Sequence, residues 1–121
     1  MTENPLIKIT EEDLKRRDRD LLEKDIEGPV KRYAKSRYGM LAEKFISPSK
    51  RSVPDDLFTT RHGFMFFIEF KAPGKLPTPK QKEDHARRRA FGIRVYVVDD
   101  VGYGKQVIDA AERIRVKLTE M

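Results

Sequence analysis

The segment that most constrains the fold is residues 64–71, with the sequence FMFFIEFK. Side chains alternate between the two faces of a strand, so one face of this segment is wholly apolar. The other face begins with Met65 and Phe67 and ends with a carboxylate, Glu69, and an ammonium group, Lys71. Charges on so apolar a strand are costly unless they are paired or bind a metal ion. The segment therefore predicts a strand that ends in a functional site or in a structural salt bridge.

A second carboxylate is predicted to face Glu69 across a hairpin. A tight turn over residues 61–63, with the two flanking residues paired, fixes the register of the adjoining strands. In that register Asp55 lies directly opposite Glu69, on the same face of the sheet. A slip of one residue would turn Asp55 away and bring Asp56 round, so either aspartate fits this interpretation.

Two facing carboxylates repel each other unless they share a proton or bind a cation. A hard divalent ion such as Mg²⁺ prefers oxygen ligands and accepts phosphate oxygens as well. Such an ion lowers the pKa of bound water, and Lys71 is placed to orient that water or to stabilise developing charge. The alternative is a cross-strand salt bridge between Glu69 and Lys71 at the edge of the sheet.

The pattern along the rest of the chain predicts an α/β fold with a mixed sheet. Short turns make the first three strands an antiparallel meander, and a helix before the fourth strand makes a right-handed parallel crossover. The predicted elements are a helix restarted at Gly28-Pro29 and ending at Gly39, strands at 40–46, 56–60 and 64–72, a helix from Thr78-Pro79 to Gly92, a strand at 94–99 and a helix over about 105–118.

The length of 121 residues predicts a single domain over residues 1–121. Residues 1–25 are interpreted as a helical extension with few apolar anchors, which needs the domain or a second subunit to pack against. A net charge of +6 favours polyanionic partners, although a soluble basic surface explains it equally well. The absence of cysteine excludes disulfides and thiolate sites. With no apolar run of membrane-spanning length and no signal-peptide pattern, the cytoplasm is the expected location.

Four short segments, at residues 52–55, 68–75, 78–81 and 92–95, form a pattern found in a known family. Within them, Pro54-Asp55 and Glu69-Phe70-Lys71 resemble the signature of PD-(D/E)xK nucleases. The whole set is similar to the VRR-NUC branch of that superfamily, and the likeness extends from about residue 27 to residue 99.

The resemblance implies a three-layer, restriction-endonuclease-like core in the order α-β-β-β-α-β, with an extra N-terminal helix and a C-terminal helix. It implies a DNA endonuclease in which Asp55 and Glu69 bind Mg²⁺ or Mn²⁺ and Lys71 is the catalytic lysine. It further implies that Gln81 completes the site and that Glu27 is an additional acidic ligand. Stand-alone members are associated with homodimers that act on branched DNA such as Holliday junctions, in bacteria or phage-infected cells.

Basic side chains near these motifs could hold the DNA backbone, although a solvated charged face accounts for any one of them equally well. His62 and His85 are interpreted as surface residues, and Tyr103 as part of a loop. Taken alone, Glu27 and Lys31 form an ordinary i,i+4 ion pair. A non-catalytic nucleic-acid-binding subunit is the alternative function. The predicted DNA contacts are Lys31, Lys50, Arg51, Lys75, Lys80 and Arg88.

Overall fold

The structure is a computed structural model and describes residues 21–47 and 53–121. No helix in that part of the chain is long and apolar enough to cross a membrane. The predicted order of helices and strands is confirmed, although the strands are shorter than predicted. The elements are α1 (Glu23–Tyr38), β1 (Leu41–Lys44), β2 (Asp56–Thr59), a 3₁₀ turn (Arg61–Gly63), β3 (Met65–Phe70), α2 (Pro79–Ala90), β4 (Val95–Val98) and α3 (Val101–Glu120).

The four strands form one mixed sheet in the order β1-β2-β3-β4. β2 pairs antiparallel with both β1 and β3, and β3 pairs parallel with β4 across the α2 connection. The predicted meander and parallel crossover are therefore confirmed. The extension predicted over residues 1–25 lies mostly outside the described residues, and its residues 23–25 begin α1.

The hydrophobic core lies between one face of the sheet and helices α1 and α3. Phe66, Ile68 and Phe70 of β3 point into it and are fully buried, as their alternation predicts. Val30 of α1 and Val107 of α3 pack against them from the helical layer. Helix α2 contacts the opposite face of the sheet, where Arg88 lies over the ring of Phe67. The fold is thus the expected three-layer α/β/α arrangement.

Helix α1 passes through Gly28-Pro29 without a break, so the predicted interruption at this point is wrong. A proline inside a helix lacks one backbone N–H donor and costs about 3 kcal/mol. Ile26, Val30 and Ala34, spaced four residues apart, are buried on one face of the helix on both sides of the proline. Their burial offsets the cost, because each large apolar side chain contributes about 1.5–3 kcal/mol when removed from water.

Helix α3 begins at Val101, so the interpretation of Tyr103 as a loop residue is also wrong. The side chain of Asp100 caps the helix by accepting a hydrogen bond from the Tyr103 amide at 2.7 Å. A Cβ atom on Gly104 would lie 2.4 Å from the Cγ2 atom of Val30. The absence of a side chain at Gly104 therefore allows α3 to pack closely against α1.

Candidate active site

The β2–β3 hairpin has the register that the sequence predicted. Asp56 pairs with Ile68, and the same register continued by one residue sets Asp55 opposite Glu69. The Oδ2 atom of Asp55 also accepts a hydrogen bond from the Phe70 amide at 2.7 Å, which fixes its side chain beside β3. Asp55, and not Asp56, therefore shares a face with Glu69.

Three carboxylates meet at this point, and we call Glu23, Asp55 and Glu69 the site cluster. One oxygen of each lies within 4.8 Å of one oxygen of each of the others. Asp55 precedes β2, Glu69 lies on β3, and Glu23 extends from the first turn of α1. The side chain of Glu69 is only 1% exposed, whereas Glu23 lies at the surface. The cluster therefore has a buried floor and an open side.

Lys71 and Gln81 complete a hydrogen-bonded network around Glu69. The Lys71 Nζ atom lies 3.8 Å from Glu69 Oε2 and donates to Gln81 Oε1 at 2.7 Å. The Gln81 Nε2 atom donates to Glu69 Oε2 at 3.2 Å. Gln81 Oε1 also accepts from the Thr78 amide at 2.9 Å, in the capping box that begins α2. The start of α2 thus fixes the lysine and the glutamate together.

Among the described residues, the three carboxylates of the site cluster outnumber the lysines paired with them. Burial, together with the charge of Asp55, raises the pKa of Glu23 to about 7. Burial also raises the pKa of Glu69, against the opposing effect of His85. The buried Oε1 atom of Glu69 has no hydrogen-bond partner among the described residues. A group of oxygen donors with excess negative charge fits a hard divalent cation such as Mg²⁺ or Mn²⁺.

A second group of charges, which we call the paired cluster, contains Glu27, Lys31, Lys44 and Asp56. The Lys44 Nζ atom lies 2.7 Å from Glu27 Oε2, and the Lys31 Nζ atom lies 3.3 Å from Asp56 Oδ1. Asp56 is fully buried, and burial together with the adjoining Glu27 raises its pKa to about 7. Two lysines balance the formal charge of two carboxylates here, and the buried Asp56 Oδ2 atom, like Glu69 Oε1, has no hydrogen-bond partner among the described residues.

The structure places Glu27 differently from the expectation that it joins Asp55 and Glu69. Its carboxylate belongs to the paired cluster, and Glu23, one helical turn earlier on α1, takes the expected position. The sequence analysis missed Glu23 because it assigned residues 1–25 to a separate extension. The available signal was the i,i+4 spacing of Glu23 and Glu27, which sets both on one face of a helix.

His85 is buried, so its interpretation as a surface residue is wrong. Its side chain is 1% exposed, and the Nε2 atom lies 3.4 Å from Glu69 Oε1. His62 is exposed in the turn, as predicted. His85 lies four residues after Gln81 on α2, on the same helical face. That spacing to a site residue was the signal in the sequence, and the charged surroundings of His85 concealed it.

Two of the predicted DNA contacts, Lys75 and Lys80, have exposed side chains. Lys75 borders a cleft of about 540 Å³ that reaches the site cluster, and Lys80 is exposed in the first turn of α2. Lys50 and Arg51 lie outside the described residues. The cleft is lined by Leu22, Glu23, Lys24, Lys71, Ala72, Lys75 and Leu76.

The other two predicted DNA contacts have structural partners within the domain. Lys31 belongs to the paired cluster. Arg88 donates to Asp84 Oδ2 at 2.8 Å, and its guanidinium lies 5.2 Å from the centre of the Phe67 ring. Arg88 therefore helps to fasten α2 to the sheet, which leaves less of its side chain for a ligand.

The mixed sheet between helices, with two acids, a lysine and a glutamine at one end, defines a restriction-endonuclease-like nuclease fold. A solved structure described as a VRR_NUC domain is similar, with a TM-score of 0.60 and 32% identity, covering 69% of this chain and 94% of that chain. "Putative nuclease p44" of Acyrthosiphon pisum secondary endosymbiont phage 1 is 42% identical over 80 residues, 66% of this chain and 81% of the relative. No protein-family model matches the sequence. The chain belongs to the VRR-NUC nuclease family.

Proposed function

We propose that this protein is a divalent-metal-dependent endonuclease that hydrolyses phosphodiester bonds in DNA, with Mg²⁺ or Mn²⁺ as its cofactor. The observation that carries the proposal is the meeting of three carboxylates within 4.8 Å of one another, beside the Lys71–Gln81 pair. Repulsion among these carboxylates is otherwise unfavourable, and a divalent ion relieves it. The similarity to VRR-NUC nucleases supports the same chemistry.

Glu23, Asp55 and Glu69 are the proposed ligands of the ion. When bound, the ion supplies Lewis-acid chemistry that makes water a better nucleophile and screens the charge of the phosphate. Asp55 is held in place by the Phe70 amide, and Glu69 by Gln81. Two of the three ligands are thus preorganised by the hairpin and by α2, while Glu23 completes the ligand set from the first residue of α1.

Lys71 is the proposed catalytic lysine. Its ammonium group donates to Gln81 at 2.7 Å, and its side chain, which is 13% exposed, lines the cleft from a fixed position. From there it can donate to a phosphate oxygen or to the attacking water, and it stabilises the negative charge that develops on the phosphate. Gln81 acts through Lys71 and Glu69, because it binds both side chains at once.

The DNA backbone is proposed to run along the cleft beside Lys71. Lys24 and Lys75 line this cleft, and Lys80 lies close by on α2. Lysines of this kind neutralise phosphates without reading sequence, so binding should weaken as salt concentration rises. This arrangement favours recognition of DNA shape over recognition of base sequence.

We further propose that branched DNA, such as a Holliday junction, is the preferred substrate and that the protein acts as a homodimer. Two sites related by a two-fold axis suit the symmetry of a four-way junction. The proposal also rests on the family resemblance and on the extension predicted over residues 1–25, which has few apolar residues with which to pack alone. Sedimentation that shows only monomer at working concentration would contradict junction resolution by a dimer, without contradicting cleavage.

The decisive experiment compares a labelled four-way junction with a linear duplex of matched sequence, in Mg²⁺, Mn²⁺ or EDTA. Lys71→Ala is the test variant, and Lys117→Ala, at an exposed position near the end of α3, is the matched control. We expect metal-dependent cleavage that prefers the junction, is lost in Lys71→Ala and persists in Lys117→Ala. Equal cleavage of both substrates would contradict branch selectivity alone. Tight binding without cleavage in any metal would favour the non-catalytic binding subunit instead.

A further inference from the structure

His85 is a buried polar residue that the proposed chemistry leaves unexplained. Its Nε2 atom has no hydrogen-bond partner among the described residues, and the same is true of the Oε1 atom of Glu69. These two atoms face each other at 3.4 Å, in side chains that are each 1% exposed. A buried polar atom without a partner loses its hydrogen bonds to water and gains none in return, so two that face each other require an explanation.

Two side chains of helix α2 contact the Glu69 carboxylate, one at each oxygen. Gln81 donates to Oε2 at 3.2 Å, and His85, one helical turn later, lies 3.4 Å from Oε1. The His85 contact is slightly longer than an ordinary N–H···O hydrogen bond, which spans about 2.7–3.2 Å. His85 is not among the described residues whose ligand atoms meet in the site cluster, so it contacts Glu69 without being one of the cluster's three members.

We infer that His85 is a positioning residue that donates from Nε2 to Glu69 Oε1 and holds the Glu69 carboxylate in the orientation that binds the metal ion. The inference rests on the proposed function, because Glu69 is a metal ligand only there. A carboxylate fixed at both oxygens loses little rotational freedom when the ion binds. Partners that orient a ligand in this way commonly change metal affinity by about 10–100-fold when they are removed.

The test measures Mn²⁺ affinity by isothermal titration calorimetry on the full chain without DNA. His85→Leu replaces the donor with an apolar side chain, whereas His85→Gln can still donate. The control is His62→Asn, at an exposed histidine with φ 69, because asparagine tolerates this left-handed backbone conformation. We expect about a tenfold higher dissociation constant for His85→Leu, recovery of most of the affinity in His85→Gln, and no change in the control. A folded His85→Leu that binds Mn²⁺ as tightly as wild type would overturn the inference.

A second measurement uses the wild-type protein and does not depend on whether a variant folds. Two-bond ¹H–¹⁵N correlation spectra of the histidine rings, recorded with Mg²⁺, report which ring nitrogen carries hydrogen. A hydrogen on Nε2 of His85 is expected, and its absence would overturn the inference even if His85→Leu proved unstable. Wild-type protein that binds no Mn²⁺ would instead remove the proposed function, and this inference with it.

Discussion

The site cluster and the paired cluster lie one helical turn apart and differ in how their charge is balanced. In the paired cluster, Glu27 and Asp56 have lysine partners at 2.7 and 3.3 Å. In the site cluster, Lys71 is the lysine paired with a carboxylate among the described residues, and its Nζ atom lies 3.8 Å from Glu69 Oε2. A local excess of negative charge, and not the mere number of acids, is what marks a cation site. Of these two clusters, only the site cluster has such an excess among the described residues.

The two clusters are built from neighbouring positions of the same two segments. Glu23 and Glu27 are separated by one turn of α1, and Asp55 and Asp56 are adjacent at the start of β2. Successive residues of a strand point to opposite faces, so Asp56 turns into the protein while Asp55 turns towards Glu69. Residue type alone could not separate a ligand from a buried ion-pair partner here, whereas strand register could.

The largest effect is expected from exchanging carboxylate for amide at the two aspartates. Asp55→Asn should lower kcat/KM for cleavage by more than about 100-fold, because loss of a ligand should exceed the 10–100-fold cost of losing its outer partner. Asp56→Asn should keep most of the activity, since Asp56 binds Lys31 and not the site cluster. Steady-state cleavage assays at saturating Mn²⁺ provide the comparison. Equal losses in both variants would show that the two clusters act as one.

The next largest effect is expected on Mn²⁺ affinity, when Glu23 and Glu27 are each replaced by glutamine. Glu23→Gln should weaken Mn²⁺ binding about tenfold or more, whereas Glu27→Gln should leave it close to wild type because Lys44 already balances Glu27. Titration calorimetry on both variants, without DNA, gives the two dissociation constants. The reverse order of effects would restore Glu27 as the ligand that the family resemblance implied. Circular dichroism melts should show which variant also loses stability.

Local rules were enough to predict the centre of the site. The short turn at residues 61–63 determines the hairpin register, and that register alone sets Asp55 opposite Glu69. The side-chain alternation of β3 then explains why Phe66, Ile68 and Phe70 face the core while Glu69 faces the other side of the sheet. These features depend on a few neighbouring residues, so they can be read from the chain without knowledge of its tertiary contacts.

The positions of Glu23 and His85 could not be predicted in the same way. Each depends on how a helix packs against the sheet, which local spacing does not determine. The start of α1 was hidden by Gly28-Pro29, whose helix-breaking tendency is overcome by burial of Ile26 and Val30. The burial of His85 was hidden by its charged neighbours on α2. Tertiary packing overrode local preference at both places.

Asp109 on α3 belongs to neither cluster, and its hydrogen-bond partners are neutral side chains, so it can be compared with the carboxylates of both clusters. The hydroxyl groups of Tyr33 and Tyr38 each donate to Asp109 Oδ1 at 2.7 Å. The Tyr38 hydrogen bond lowers the pKa of Asp109 against the effect of burial, and Tyr33 lowers it further. The same contact helps to raise the pKa of Tyr33 to about 12. Hydrogen bonds from two neutral hydroxyl groups, with smaller contributions from the charges of Arg113 and Arg37, therefore stabilise this carboxylate.

The smallest predicted effect is a pH-dependent loss of stability in Asp109→Asn, of about 1 kcal/mol at pH 7. A lowered folded-state pKa means that the stabilisation is complete above the ordinary value of 3.8 and is lost as pH falls through the folded value. Urea unfolding of both proteins between pH 7 and pH 3 should therefore show a gap that is constant near neutrality and narrows below about pH 4. Glu120→Gln, on the exposed end of α3, is the matched control and should show no gap.

A difference in stability between wild type and Asp109→Asn that does not depend on pH would mean that the tyrosines bind the charged and neutral side chains equally. Hydrogen bonds could then not account for the charge of Asp109, and the contrast between carboxylates balanced by partners and those that need a cation would rest on the lysines alone.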